Sequence, residues 1–157
     1  MAKILFLHGL ESKPGGKKAT FLKKYGHTVY NPHLPKSSFK ESVAIAQDII
    51  NKECPDIIVG SSRGGAVAMC VHHHGADTVL IAPAWKRYIS DSELQLPGRV
   101  MILHCENDDV VDYNDSFQLA VDIGATLVKA GECHRMSDDS ALAALEDSVS
   151  WLVKKRA

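Results

Sequence analysis

A serine framed by two glycines is the part of this sequence that points most directly to chemistry. Ser62 lies in the segment GSSRGG at 60–65, with an apolar run at 57–59 before it and a helix-like run at 66–71 after it. The order strand, G-x-S-x-G, helix is typical of a nucleophile elbow, in which a sharp turn lifts a serine hydroxyl above a sheet. Only Ser62 has a glycine two positions before it and two positions after it, so we predict Ser62, and not Ser61, as the nucleophile.

Residues elsewhere in the chain must decide whether Ser62 is a nucleophile or part of a simple tight turn, because a match of five residues also arises by chance. A serine hydroxyl attacks well only when a base takes its proton and a third group orients that base. In parallel α/β sheets, such groups collect beyond the carboxyl ends of the strands. In hydrolases with this elbow, the order along the chain is serine, acid, histidine.

Acidic residues cluster just after a late apolar run of the chain. Asp108 is the predicted acid, because it lies four residues beyond His104, which ends that run. Asp109 is the near alternative. We expect Asp112 to be the N-cap of a following helix and Glu106 to be solvated.

His134 is the predicted base among the eight histidines of the chain. It alone lies after the last predicted strand and before the terminal helix, whereas His104 is expected to orient a loop. The tract at 72–74 is expected to close the helix that follows Ser62, where positive charge is favourable. A metal site in that tract is the alternative, but consecutive helical side chains point in different directions and chelate poorly.

Acyl transfer through a serine also needs two N–H groups that hold the oxyanion of the tetrahedral intermediate. One is expected from the residue after the nucleophile, which is Arg63. The other is expected from Leu10, in the loop after the first strand, where Gly9 lets the backbone bend. The alternative for this loop is an ordinary turn at the end of a strand.

The apolar pattern predicts a three-layer α/β fold. Six runs without polar alternation, at 3–7, 28–30, 57–59, 78–81, 100–103 and 126–128, are typical of strands covered on both faces. Helical stripes lie between and after them: Phe39, Val43, Ala46, Ile49 and Ile50; Tyr113, Phe117, Ala120 and Val121; Leu142, Leu145, Val149 and Leu152. Such alternation implies a mostly parallel six-stranded sheet with helices on both faces.

Composition bounds the remaining possibilities. The chain has 157 residues, 45% of them hydrophobic and 24% charged, and a net charge of −1. We expect one domain over 1–157, with a small-molecule partner and no nucleic acid, since the charge offers nucleic acid no support. No apolar run approaches the roughly 20 residues that span a membrane, and signal-peptide features are missing, so a cytoplasmic location is expected.

The longest stretch without a predicted element runs from residue 83 to residue 98. A loop of that length is usually functional or mobile, and we assign Trp85 and Tyr88 in it as candidate substrate-binding residues. The alternative is a surface helix with ordinary exposed charges.

Together these segments resemble an α/β-hydrolase over nearly the whole chain. Residues 7–10 resemble the oxyanion loop of that family and residues 60–65 its elbow. Residues 104–111 are similar to the segment H-G-x-x-D-x-x-V that carries the acid, and 131–134 to the G-x-x-H that carries the base. The opening segment HGLESKP at 8–14 further resembles small YqiA-like bacterial esterases.

The resemblance implies the strand order 2-1-3-4-5-6, a minimal cap or none, and no metal or organic cofactor. The sequence departs from the family at Cys105, where glycine is usual, and at Arg63, where an apolar residue is usual. The Arg63 side chain is expected to bring positive charge to the mouth of the pocket.

The function that we expect is a serine hydrolase that cleaves a carboxylic ester or thioester through an acyl-enzyme on Ser62. Asp108 and His134 complete the triad, and a compact chain favours short acyl groups. The alternatives are a non-catalytic binding protein of the same fold, since a fold does not establish a function, and an acyltransferase.

Overall fold

Strands and helices alternate along the chain in the computed structural model, which describes residues 1–90 and 96–157. The elements are β1 Lys3–Leu7, α1 Lys17–Lys24, β2 Thr28–Tyr30, α2 Phe39–Glu53, β3 Ile57–Ser61, α3 Arg63–Ala68, β4 Asp77–Ile81, α4 Trp85–Tyr88, β5 Val100–His104, α5 Tyr113–Ile123, β6 Thr126–Lys129 and α6 Asp139–Arg156. Every apolar run that was predicted as a strand forms one.

The six strands form one sheet in the order β2-β1-β3-β4-β5-β6, and every neighbouring pair is parallel. This is the predicted order. Because all the strands run in the same direction, the loops after β1, β3, β5 and β6 leave the sheet at the same edge. That edge is where the predicted nucleophile, acid and base belong.

The core lies on both faces of the sheet. Successive strand residues alternate between the two faces, so Leu5 packs in one buried cluster and Ile4 in the other. Buried residues of α2, α3, α4 and α5 cover the first face, and those of α1 and α6 cover the second. The predicted three-layer α/β architecture is therefore confirmed, and the fully buried β3 explains the lack of polar alternation at 57–59.

Helix α3 is shorter than the sequence indicates. The helix ends at Ala68, although helical character was expected to continue through Val71 and the histidine tract. The Cys70 N–H donates to the carbonyl three residues back, at Val67, so the last turn tightens and stops the helix. The prediction that His72, His73 and His74 close this helix is therefore wrong.

The buried face of helix α5 is rotated from the predicted stripe, of which Ala120 alone is buried. Phe117 and Val121 are 57% and 67% exposed, whereas Ser116, Leu119 and Ala120 are buried. The pattern of apolar residues did not predict this face, because the buried face includes a polar residue, Ser116. Other helix predictions are confirmed: Leu142, Leu145, Val149 and Leu152 are buried in α6.

Both ends of helix α5 agree with the sequence. Asp112 caps the N-terminus of α5 and Gly124 ends that helix in the left-handed conformation, as predicted. Of the predicted loop at 83–98, residues 85–88 form the short helix α4, and residues 91–95 lie outside the described part of the chain. Among the described residues, the helices are too short or too polar to cross a membrane.

Candidate active site

Ser62 occupies the sharp turn between β3 and α3. Its backbone has φ 55° and ψ −115°, a conformation that costs a non-glycine residue on the order of 1–3 kcal/mol. A Cβ at Gly60 would lie 2.8 Å from the Gly65 Cα, and one at Gly64 would lie 2.7 Å from the His8 carbonyl oxygen. The turn therefore requires both glycines of the frame, and the strained residue between them is Ser62, with Ser61 in the buried strand.

His134 meets the serine across the carboxyl edge of the sheet. Its Nε2 lies 2.9 Å from the Ser62 Oγ. The loop between β6 and α6 that carries His134 is anchored to α1, because Lys18 Nζ donates to the Arg135 carbonyl at 2.6 Å. Burial lowers the pKa of Lys18 to about 8. Asp138 fixes the other end of the loop as the N-cap of α6.

Asp108 lies on the far side of the same imidazole. His134 Nδ1 is 2.6 Å from Asp108 Oδ2, and the Asp108 side chain is fully buried. The N–H groups of Val110 and Val111 each donate to Oδ1 at 2.8 Å. Asp109, the alternative acid, is exposed.

Hydrogen bonds keep the Asp108 carboxyl ionised. Burial alone would raise its pKa, but the hydrogen bonds from Val111, His134, Val110 and His104 outweigh burial, so the pKa lies below its ordinary value. An ionised carboxylate only accepts, so His134 Nδ1 carries a proton and donates it. The Nε2 lone pair of a neutral His134 is then free to accept the Ser62 proton, which is the tautomer that a general base requires.

His104 contacts the acid directly, which the sequence did not reveal. At the end of β5, its Nε2 lies 2.9 Å from Asp108 Oδ2 and its Nδ1 lies 2.6 Å from Ser116 Oγ. The spacing of four residues between His104 and Asp108 was visible in the sequence. The buried partner on α5 was not, because serine gives no apolar signal.

The loop after β1 lies against the serine. A Cβ on Gly9 would be 3.4 Å from the Ser62 Cβ. His8 holds this loop, because its Nδ1 donates to the Gly9 carbonyl at 2.8 Å and its Nε2 accepts from Leu34 N–H at 3.0 Å. Burial lowers the pKa of His8, which favours this neutral form. Leu10 follows Gly9 and is half-buried; its role as an oxyanion donor stays a prediction.

The side chain of Arg63 is not at a pocket mouth, and that prediction is wrong. Arg63 is 2% exposed, with Nη2 donating to the Pro35 carbonyl at 2.9 Å and Nη1 donating to Ser42 Oγ at 3.1 Å. Its guanidinium carbon lies 5.6 Å from the Phe39 ring centroid and 5.8 Å from that of Tyr88. Arg63 therefore joins the elbow to α2 and α4. The role of its backbone N–H as an oxyanion donor stays a prediction.

The two aromatic candidates for substrate binding differ in their placement. Trp85 is 1% exposed and packs in the core, with its Nε1 donating to the Asp115 carbonyl at 3.0 Å. Its indole therefore faces the protein interior and not an open site, contrary to the expectation from the sequence. Tyr88 is half-buried and stacks on Phe39 at 4.9 Å between ring centroids, so its role in binding stays a prediction.

A family model matches residues 3–91, which is more than half of the chain, and its description is uncharacterised protein family UPF0227. The chain belongs to the UPF0227 family. The matched part of this UPF0227 protein includes the elbow and the loop after β1, whereas Asp108 and His134 lie beyond it. No curated protein matches the sequence.

Solved structures show the same fold. The UPF0227 protein is similar to mouse alpha/beta hydrolase domain-containing protein 10, with 19% identity, a TM-score of 0.80, and coverage of 99% of this chain and 90% of that one. It is also similar to an esterase domain from Rhodothermus marinus, with 17% identity, a TM-score of 0.71, and coverage of 96% and 85%. An α/β serine hydrolase without lid from Xanthomonas campestris gives 18% identity, a TM-score of 0.73, and coverage of 98% and 81%. The predicted α/β-hydrolase fold is therefore confirmed.

Proposed function

We propose that this UPF0227 protein is a serine hydrolase that cleaves a carboxylic ester or thioester through an acyl-enzyme on Ser62. One observation carries the proposal. A continuous line of hydrogen bonds runs from Ser62 Oγ to His134 Nε2 at 2.9 Å and from His134 Nδ1 to Asp108 Oδ2 at 2.6 Å. These are the contacts by which a buried carboxylate orients a base toward a nucleophile.

The first half of the reaction forms the acyl-enzyme. Ser62 Oγ attacks the acyl carbon while His134 Nε2 takes the hydroxyl proton, and Asp108 stabilises the imidazolium that results. The backbone N–H groups of Leu10 and Arg63 hold the oxyanion. Collapse of the tetrahedral intermediate breaks the bond to the alcohol or thiol, which leaves with the proton from His134.

The second half returns the free enzyme. His134 takes a proton from water, the hydroxide attacks the acyl carbon, and the carboxylic acid departs as Ser62 regains its proton. Each step uses side chains and backbone groups of this chain, so the mechanism requires no metal or organic cofactor. The compact chain of 157 residues favours an open site and short acyl groups.

Two other functions compete with this one. A binding protein of the same fold has no need of a strained serine in line with a base, and the φ of 55° at Ser62 therefore favours catalysis. An acyltransferase would use the same acyl-enzyme but pass the acyl group to an alcohol or amine. Adding such acceptors to the assay separates transfer from hydrolysis by the product formed.

The test is the hydrolysis of p-nitrophenyl acetate and of a short-chain acyl thioester by purified protein. Replacing the serine, Ser62→Ala, should lower kcat by a factor on the order of 10⁶ and leave the fold intact. The matched control is Ser61→Ala, which should retain activity because Ser61 lies in the buried strand. Equal activity of wild type and Ser62→Ala would rule out the acyl-enzyme.

A further inference from the structure

His104 shares one oxygen atom of the candidate acid with the candidate base. Asp108 Oδ2 lies 2.9 Å from His104 Nε2 and 2.6 Å from His134 Nδ1. The side chains of His104 and Asp108 are both fully buried, whereas that of His134 is 19% exposed. Two imidazoles therefore compete for the same carboxylate oxygen, and only one of them reaches the serine.

The proton positions around His104 follow from its partners. The ionised Asp108 accepts, so His104 Nε2 carries the proton of that hydrogen bond. On the other side, Ser116 Oγ lies 2.6 Å from Nδ1 and its hydroxyl can donate there. A neutral His104 is thus satisfied at both ring nitrogens.

Two further groups lie beside His104, and neither is a carboxylate. Tyr113 of α5 faces the imidazole, with 5.7 Å between ring centroids. Cys105 follows His104 in the chain, and burial raises the pKa of its thiol, so this thiol is neutral near pH 7. Within the described residues, Asp108 is the carboxylate that His104 contacts.

We infer that His104 is a positioning residue that sets how strongly Asp108 holds the protonated form of His134. A hydrogen bond donated to Oδ2 draws off part of the charge that the oxygen would otherwise present to His134. It also fixes the rotation of the carboxylate, together with the N–H groups of Val110 and Val111 on Oδ1. His104 does not touch the reacting atoms, and this inference rests on the proposed function for its kinetic consequence.

Loss of this donor has a definite direction. Without His104, Oδ2 presents its full charge to His134, which favours the imidazolium over the neutral base. Because only the neutral imidazole accepts the serine proton, activity would begin to fall at a higher pH on acidification. If His104 merely filled space, replacing it would leave the midpoint of the acid limb unchanged.

The test compares two substitutions at position 104, of which one can donate a hydrogen bond to Asp108 and the other cannot. In His104→Gln the side-chain amide retains a donor toward Asp108, whereas His104→Phe fills the space without one. We expect His104→Phe to lower kcat by roughly 10–100-fold. This is the range of activity lost in metalloenzymes when a residue that orients a metal ligand through a hydrogen bond is replaced. In the same variant, the acid limb of kcat/KM should move up by roughly half a pH unit or more. In His104→Gln, both kcat and the acid limb should stay closer to the wild-type values.

A second readout keeps the inference separate from the proposed function. The His134 ring is titrated by NMR in wild type, His104→Gln and His104→Phe, a measurement that needs no substrate. Its titration midpoint should rise in His104→Phe and not in His104→Gln. Equal midpoints in the folded proteins would overturn the inference, whereas a risen midpoint without Ser62-dependent hydrolysis would reject only the proposed function. If His104→Phe does not fold, Ser116→Ala, which frees Nδ1 of the same ring, takes its place and should shift the midpoint in the same direction by less.

Discussion

Two buried histidines of this protein, His104 and His73, are used in opposite ways. His104 is fully buried and has a partner at each ring nitrogen, Asp108 on one side and Ser116 on the other. His73 is 2% exposed, and within the described residues its ring nitrogens approach backbone groups of Ala68 and Val71 without making a hydrogen bond of good geometry. The comparison shows that partners, and not the density of histidines in the sequence, decide what a histidine does.

The conspicuous tract at 72–74 is the poorer candidate for chemistry. His72 and His74 are exposed, and His74 Nε2 lies 3.1 Å from Asn51 Oδ1. In the described ranges, no group of three or more histidine, cysteine, aspartate or glutamate side chains is arranged to hold a metal ion. The tract therefore offers neither a base in line with a nucleophile nor a set of ligands.

The largest expected effect is the loss of activity when His134 is replaced, compared with replacements in the tract at 72–74. His134→Ala removes the base and should lower kcat by a factor on the order of 10⁶. His72→Ala and His74→Ala are the matched controls, and they should hydrolyse esters as wild type does. Steady-state kinetics with and without a chelator check both statements. Activity that a chelator abolishes and zinc restores would transfer the chemistry to the tract.

A smaller loss should distinguish the acids of the loop after β5. Asp108→Asn should lower kcat about 10⁴-fold, because the amide no longer stabilises the required tautomer and charge of His134. Asp109→Asn is the control, since the Asp109 side chain is exposed and should matter little. The kcat values of both variants decide the matter, and a collapse confined to Asp109→Asn would move the acid by one residue.

Acid should destabilise the fold partly through His73. Burial lowers the pKa of His73, so the unfolded chain takes up this proton first as the pH falls below about 6.5. Stability is therefore lost on acidification through the window from about 6.5 down to the lowered folded-state pKa. His73→Phe should make the free energy of unfolding less dependent on pH in this window. It should also raise the free energy of unfolding at neutral pH by about 1 kcal/mol, since a buried polar group without a good hydrogen bond is removed.

Denaturant titrations of wild type, His73→Phe and His72→Phe between pH 5 and pH 8 measure this effect. The exposed His72 provides the control, and its replacement should leave the pH dependence as in wild type. An unchanged slope in His73→Phe would mean that His73 gains partners in solution, and the contrast with His104 would then disappear.

An effect on stability of similar size, without an effect on activity, is expected at Asp112, the last acid of the loop after β5. Its side chain accepts from the Asn114 N–H at 2.9 Å as the N-cap of α5. Asp112→Ala should lower the free energy of unfolding by roughly 0.5–2 kcal/mol while kcat stays within about twofold of wild type, because the carboxylate does not touch His134. Thermal melts and kinetics on one preparation test both parts, and a large loss of kcat without loss of stability would contradict them.

The sequence predicted the elements that strong local signals specify. Continuous apolar runs marked all the strands, and glycines at 60 and 64 marked the elbow, because backbone crowding there admits no Cβ. The placement of Ser62, Asp108 and His134 in loops at one edge followed from the parallel order of the strands. These inferences need only the chain direction and the pattern of residue types.

The remaining details depend on contacts that the pattern of residues does not contain. The buried face of α5 was misjudged because Ser116 is buried by its bond to His104 and not by apolarity. The Arg63 side chain was expected at the mouth of the pocket, but two acceptors and two aromatic rings surround its guanidinium. Trp85 was expected near substrate but is buried in the core, with its Nε1 donating to the Asp115 carbonyl of α5. In each case a distant segment satisfies a polar atom, which local periodicity does not register.

The measurement that tests the central claim most directly is labelling with a fluorophosphonate probe, followed by mapping of the adduct by mass spectrometry. The probe reacts with a serine only when a base activates it, so the result reports on the line from Asp108 through His134 to Ser62. The account predicts one adduct, on Ser62, which is lost in Ser62→Ala, strongly slowed in His134→Ala and retained in Ser61→Ala. A folded wild-type protein that stays unlabelled, or an adduct on Ser61, would contradict it.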